Sequence, residues 1–154
     1  MLLEKLCMGY TDSTDFNSLP IPFACVATNM VDNSEVDLHS GRLPQALRAS
    51  MAIPAVFSPV RIGDMVLVDG GLTNNYPVDV ARAMGADIVI GITVQDSLKS
   101  SEGLNSTVNI LTQLIDLNTL NKYNDNVANT DIHICVNPHG YSAASFNAVA
   151  ADTL

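Results

Sequence analysis

The sequence is short of charge, and of positive charge above all. Of its 154 residues only 15% are charged, seven Lys+Arg against sixteen Asp+Glu, for a formal net charge of −9. No run of Lys or Arg occurs, which excludes an electrostatic grip on nucleic-acid phosphates and gives no basic patch for an anionic membrane. Soluble domains carry about 25% charged residues, whereas this chain is 47% apolar with a mean hydropathy of +0.22. Either much of it is buried on both faces, or part of the surface that covers it lies elsewhere. Cysteine is also scarce: Cys7, Cys25 and Cys135 are odd in number and widely spaced. They read as buried thiols of a reducing compartment, by default the cytoplasm, and not as a disulfide framework. No apolar run approaches the ~18 residues of a membrane span. The opening MLLEKLCMGY has too short an apolar stretch for a signal peptide. It reads as a helix entered partway, with Leu2, Leu3 and Leu6 on one side.

What the sequence does have is alternation of strand and helix within the length of one domain. Residues 22–28 and 35–39 read as strands around an Asp32-Asn33-Ser34 turn. Residues 43–52 read as a helix with Pro44 in its first turn, stopped by Ile53-Pro54. Residues 65–68 form a strand that runs into Asp69-Gly70-Gly71, and 77–84 form a helix closed by Gly85. The nearly unbroken apolar run DIVIGITV (87–94) has the pattern of a parallel strand covered on both faces. A helix follows at 108–123, with Ile110, Leu111, Leu114, Ile115 and Leu117 or Leu120 on its apolar side, then a strand at 132–136 and a helix from Ala143 to Leu154. This order predicts an α/β domain with a mostly parallel sheet.

The stretch richest in chemistry is MVLVDGGLTNN (65–75). In open α/β sheets functional groups gather beyond the carboxyl ends of strands, where Asp69 falls. Gly70 and Gly71 let the backbone take positive φ or approach another segment closely. A carboxylate fixed there is suited to accept a proton from a hydroxyl packed against it. A tight turn, with Asp69 capping its own loop, explains the same spacing.

Four blocks, ACVATNM (24–30), LPQALRASMAIPAVFSPV (43–60), LVDGGLTNNYPV (67–78) and ARAMGADIVIGITV (81–94), together resemble the C-terminal half of bacterial patatin-like acyl hydrolases. A looser likeness continues through NTDIHICVNP (129–138). The resemblance implies a three-layer α/β/α sandwich that cleaves lipid acyl esters with a Ser–Asp dyad and needs no metal or other cofactor. It makes Asp69 the dyad base, with Gly70 and Gly71 completing its motif. The family's serine lies in a G-x-S-x-G elbow preceded by a glycine-rich oxyanion loop. None of the nine glycines here opens a G-x-S-x-G. The expectation is therefore a single domain over 1–154 that is the downstream part of a patatin-like domain and carries no nucleophile. Such a chain would be inactive alone; its expected partners are a lipid or acyl-ester substrate and, transiently, a membrane surface, and it would tend to self-associate through an exposed sheet edge.

Rival readings are weaker. Gly140-Tyr-Ser142-Ala-Ala144 imitates an elbow but closes on Ala, which leaves Ser142 with His39 or His139 as a poor hydrolase. Ser50 lies inside a helix, where its hydroxyl can bond back to its own backbone. His133, Cys135 and His139 lack the further ligand a zinc site needs. Asp32, Glu35 and Asp37 lack the glycine and closing glutamate of a calcium loop. The glycines of GADIVIG (85–91) precede a strand instead of following one, which excludes a dinucleotide fingerprint. A different class of function also fits: a non-catalytic α/β interaction domain, with Asp69 a turn residue, that binds a partner through an uncovered sheet face.

Overall fold

The computed structural model describes residues 2–10, 12–54, 56–94 and 98–136. The helix expected at 143–154 lies outside them, as do Ser142 and His139. The elements are α1 (Leu2–Leu6), β1 (Thr14–Asp15), β2 (Cys25–Asn29), β3 (Ser34–Leu38), β4 (Ser40–Gly41), α2 (Leu43–Ser50), β5 (Val60–Ile62), β6 (Met65–Asp69), α3 (Val78–Ala83), β7 (Ile90–Thr93), α4 (Thr107–Ala128) and β8 (Ile132–Cys135).

The main sheet has the order β3-β2-β6-β5, and every pairing in it is antiparallel. The expected mostly parallel sheet is therefore corrected: among the described residues only β7 and β8 pair in parallel. The cause is local. β2 and β3 are joined by a tight turn in which Asn33 takes φ 59° and Asp32 Oδ1 accepts bonds from the Ser34 amide and hydroxyl. β5 and β6 are joined across Gly63-Asp64, so both connections are hairpins, which pair antiparallel. That turn also places Asp32 in a local hydrogen-bonded corner and not in a cation loop.

α2 lies against β2 and β6, and Ala46 and Ala49 meet Ala27, Leu38, Leu67 and Phe16 in one enclosed core. Small alanines on the inner face of α2 let its backbone come close to the sheet. Arg48 ties the following segment down: its Nη2 donates to the Ser58 carbonyl at 2.9 Å, and its guanidinium stacks 5.2 Å from the Phe57 ring centroid. α1 is present, but Leu2 and Leu6 are exposed and only the following Cys7 is buried.

β7 and β8 form a separate two-stranded sheet. One face carries Gly91, Thr93, His133 and Cys135, and Tyr76 closes over it. The other carries Ile88, Ile90, Ile92, Val94, Ile132, Ile134 and Val136, all exposed. The expectation of a strand covered on both faces is thus corrected for the described residues. α4 is also turned around relative to its sequence pattern. Ile110, Leu114 and Leu117 face outward, while Gln113, Thr119 and Asn126 are buried. Near its C-terminal end α4 packs Tyr123 and Val127 against Tyr76, Val78 and Val89, while Lys122 and Asn126 meet Glu35, Asn74 and Asp79, so polar side chains share the inward side. Among the described residues no helix is long and apolar enough to cross a membrane.

Candidate active site

β6 delivers Asp69 at its last position, paired opposite Ala27 of β2. Directly after it the chain makes one turn of 3-10 helix over Gly70–Leu72, for which Asp69 is the N-cap: its Oδ1 accepts from the Gly71 amide at 2.8 Å. The two glycines are needed for close approach and not for positive φ. A Cβ on Gly70 would stand 2.3 Å from the Val26 carbonyl oxygen, and one on Gly71 would stand 2.8 Å from Asn75 Oδ1. The loop is therefore pressed against β2, with no room for a side chain at residue 70.

Asp69, Gly70 and Gly71 line an open cleft of about 300 Å³ together with Cys25, Ser50 and Asn74. Burial pushes the Asp69 carboxyl above its ordinary value, and the Gly71 amide partly opposes that shift. Burial likewise raises the Cys25 thiol to about 11, against a hydrogen bond from Ser50, so this thiol is no nucleophile at neutral pH. Ser50 thus bonds to Cys25 across the cleft wall, a pairing that its helical position does not announce. A second cleft of about 230 Å³ lies at Glu4, Arg42, Gln45 and Arg48 and brings together no carboxylate and hydroxyl of this kind.

A polar cluster backs the loop. Asn74 Nδ2 donates to Glu35 Oε1 at 2.7 Å and to Asp79 Oδ1 at 2.9 Å. Asn126 Nδ2 donates to Asn74 Oδ1 at 3.2 Å and to the Tyr76 carbonyl at 2.8 Å. Lys122 bridges Glu35 and Asp79. Burial pushes the Asp79 carboxyl up, but the bonds from Asn74 and Lys122 outweigh it and hold the group below its usual range. Burial lowers the Lys122 ammonium, yet its two carboxylate partners leave it raised. Asp37 is raised by burial and by the charges of Glu35 and Asp79.

The other candidates are not brought together. His133 packs edge-on to Tyr76 at 5.6 Å between ring centroids, and Cys135 is exposed, contrary to the buried thiol expected. Among the described residues no group of three or more His, Cys, Asp or Glu side chains is placed to hold a metal ion.

Residues 2–82 match the sequence profile of the family described as patatin-like phospholipase. The chain belongs to the patatin-like phospholipase family. Its Asp-Gly-Gly loop, cleft and α2 all fall inside the matched region, whereas α4 and β8 fall outside it. The chain is 33% identical over 101 residues to an uncharacterized NTE family protein of Mycobacterium tuberculosis, covering 66% of this chain and 17% of the relative. A second NTE family protein of that organism is 35% identical over 79 residues, covering 51% and 22%. The protein named lysophospholipase NTE1 in Scheffersomyces stipitis is 34% identical over 87 residues, covering 56% and 5%. The chain thus spans about a fifth or less of the length of these relatives.

Proposed function

We propose that this chain supplies the aspartate of a Ser–Asp dyad in a lipid acyl hydrolase. The serine and the glycine-rich oxyanion loop come from polypeptide outside residues 1–154, and that polypeptide completes an α/β/α sandwich. The observation that carries the reading is Asp69 at a strand end, in an open cleft, with its carboxyl raised by burial. As the serine Oγ bonds to the ester carbonyl carbon, its proton passes to the Asp69 carboxylate. The acyl–oxygen bond then breaks, and the alcohol leaves with that proton. Water attacks the acyl-serine in the second half of the cycle, giving its proton to Asp69, which passes it to the serine Oγ as the acyl–Oγ bond breaks and the acid is released. A carboxylate held above its ordinary pKa is a stronger base for this task. The named lysophospholipase relative and the family support a lipid ester as substrate. No metal or organic cofactor takes part.

The test is Asp69→Asn in the full-length protein, assayed on lysophospholipid and short-chain esters. Hydrolysis falls by about 10²–10⁴-fold; unchanged turnover would overturn the assignment. Stability moves the other way. A folded-state pKa raised above the unfolded value means that the native fold binds this proton more tightly. The stability it confers is complete at low pH and declines as pH rises from the ordinary carboxylate value, about 3.9, through the raised one. Asp69→Asn therefore raises Tm at pH 7 and changes it least at pH 3.

A second reading is favoured by one observation, the exposed isoleucine face of β7 and β8. It makes the chain a non-catalytic interaction domain that docks a partner on that face. Under it Asp69→Ala leaves partner binding intact, while Ile92→Asp abolishes it.

A further inference from the structure

The loop that carries Asp69 is pressed against β2 and tied to it by the Thr28–Thr73 hydroxyl pair at 2.9 Å. Asp69 caps it locally, and the Gly70 carbonyl accepts from the amides of Thr73 at 3.0 Å and Asn74 at 2.8 Å. Everything that then fixes Asn74 comes from elsewhere in the chain. Its side-chain nitrogen donates to Glu35 on β3 and Asp79 on α3, and its side-chain oxygen accepts from Asn126 on α4. Asn126 is buried and its amide is fully used, since it also accepts from the Asp79 amide at 3.3 Å. Lys122, one turn earlier on α4, gathers the two carboxylates on which Asn74 depends. Hydrogen bonds therefore lead from α4 through Asn74 to the Gly70 carbonyl, which shares its peptide plane with the Gly71 amide that caps Asp69.

We infer that Lys122 and Asn126 are positioning residues for the Asp69 carboxylate, acting through Asn74 at a distance from the cleft. The inference rests on the reading of Asp69 as the dyad base, and it assigns work to a helix outside the part of the chain that matches the family profile. The geometry accounts for the inward turn of the polar side of α4: a hydrophobic face would cover Glu35, Asp79 and Asn74 but could not orient them. Buried amides in such a cluster fix one arrangement because every alternative leaves a polar atom without a partner.

The experiment uses the isotopically labelled full-length protein and needs no catalysis. Amide hydrogen exchange at Gly71, Thr73 and Asn74, and the carboxyl carbon titration of Asp69, are followed in Asn126→Ala, Lys122→Met and Lys122→Arg. Asn126→Ala and Lys122→Met speed exchange at those three amides about tenfold relative to Ala49 in α2. They also move the Asp69 midpoint upward, because the Gly71 amide that stabilises the carboxylate is less firmly held. Lys122→Arg keeps both values near those of the parent chain. Faster exchange spread evenly over the core, with the Asp69 midpoint unmoved, would show a merely structural role and overturn the inference. So would an unchanged loop in Lys122→Met, the variant that stands in if Asn126→Ala does not fold. The dyad reading fails separately, through Asp69→Asn in the full-length protein, so the two can be told apart.

Discussion

Two halves of the molecule reach stability by opposite means. The sheet β3-β2-β6-β5 with α2 closes on an apolar interior in which Phe16, Ala27, Ala49 and Leu67 have no solvent exposure. Among the described residues, the half built from α3, α4, β7 and β8 has Tyr76, Val78 and Val89 as its buried apolar cluster. It is held instead by polar contacts: the Asn74–Asp79–Lys122–Asn126 group, and Arg82, which donates to the carbonyls of Ala86 and Asn129 and to Asp131. Its largest aliphatic side chains point outward. The contrast teaches where the site had to sit. Asp69 leaves the enclosed half at the end of β6 and is steadied by the polar half, so it gains both a rigid strand and a set of hydrogen-bonded neighbours.

The widest separation between the halves comes from removing one buried side chain. Leu67→Ala empties a position with 0% exposure and costs about 2–5 kcal/mol, read from the midpoint of urea unfolding. A loss below 1 kcal/mol would mean that the first core is looser than its packing implies. Arg82→Ala probes the second half. Its side chain is one-third exposed, which weakens each charged contact, so the expected loss is about 1–2 kcal/mol in the same titration. A loss equal to that of Leu67→Ala would erase the distinction. Ile92→Thr on the outward face, at 64% exposure, changes the stability of the chain by less than about 0.5 kcal/mol. A larger loss would show that this face is covered in solution, and sedimentation of the two proteins would tell whether a second copy covers it.

The two halves were also unequally legible in the sequence. The stretch 43–94 declares itself because its signals are local: Pro44 opens α2, the Asp-Gly-Gly triplet ends β6, and Gly85 closes α3 with φ +94°. Strand β5 is hidden because three residues are too few to show a period. The sheet direction misleads because an apolar run such as DIVIGITV reads as doubly covered, while two of the three pairings in the main sheet are set by short turns. α4 misleads most. Periodicity assigns its inner side to Ile110 and Leu114, and it ends the helix at Tyr123, five residues before the observed end. A helix face that is buried for its amides and its ammonium has no hydrophobic signature to read. Asp69 was reachable from a motif, but Lys122 and Asn126 become visible only when residues distant in sequence are brought into contact.

That distance has a consequence for the order of assembly. Lys122 and Glu35 are 87 positions apart, and Asn126 and Asn74 are 52 apart. Such contacts carry a larger loop-closure cost than the hairpins β2–β3 and β5–β6 and form after them. During synthesis the hairpins and α2 can emerge and pack while α4 is still inside the ribosome. A nascent chain therefore passes through an interval in which the first core is complete and Asn74 has not yet met the amide that holds it.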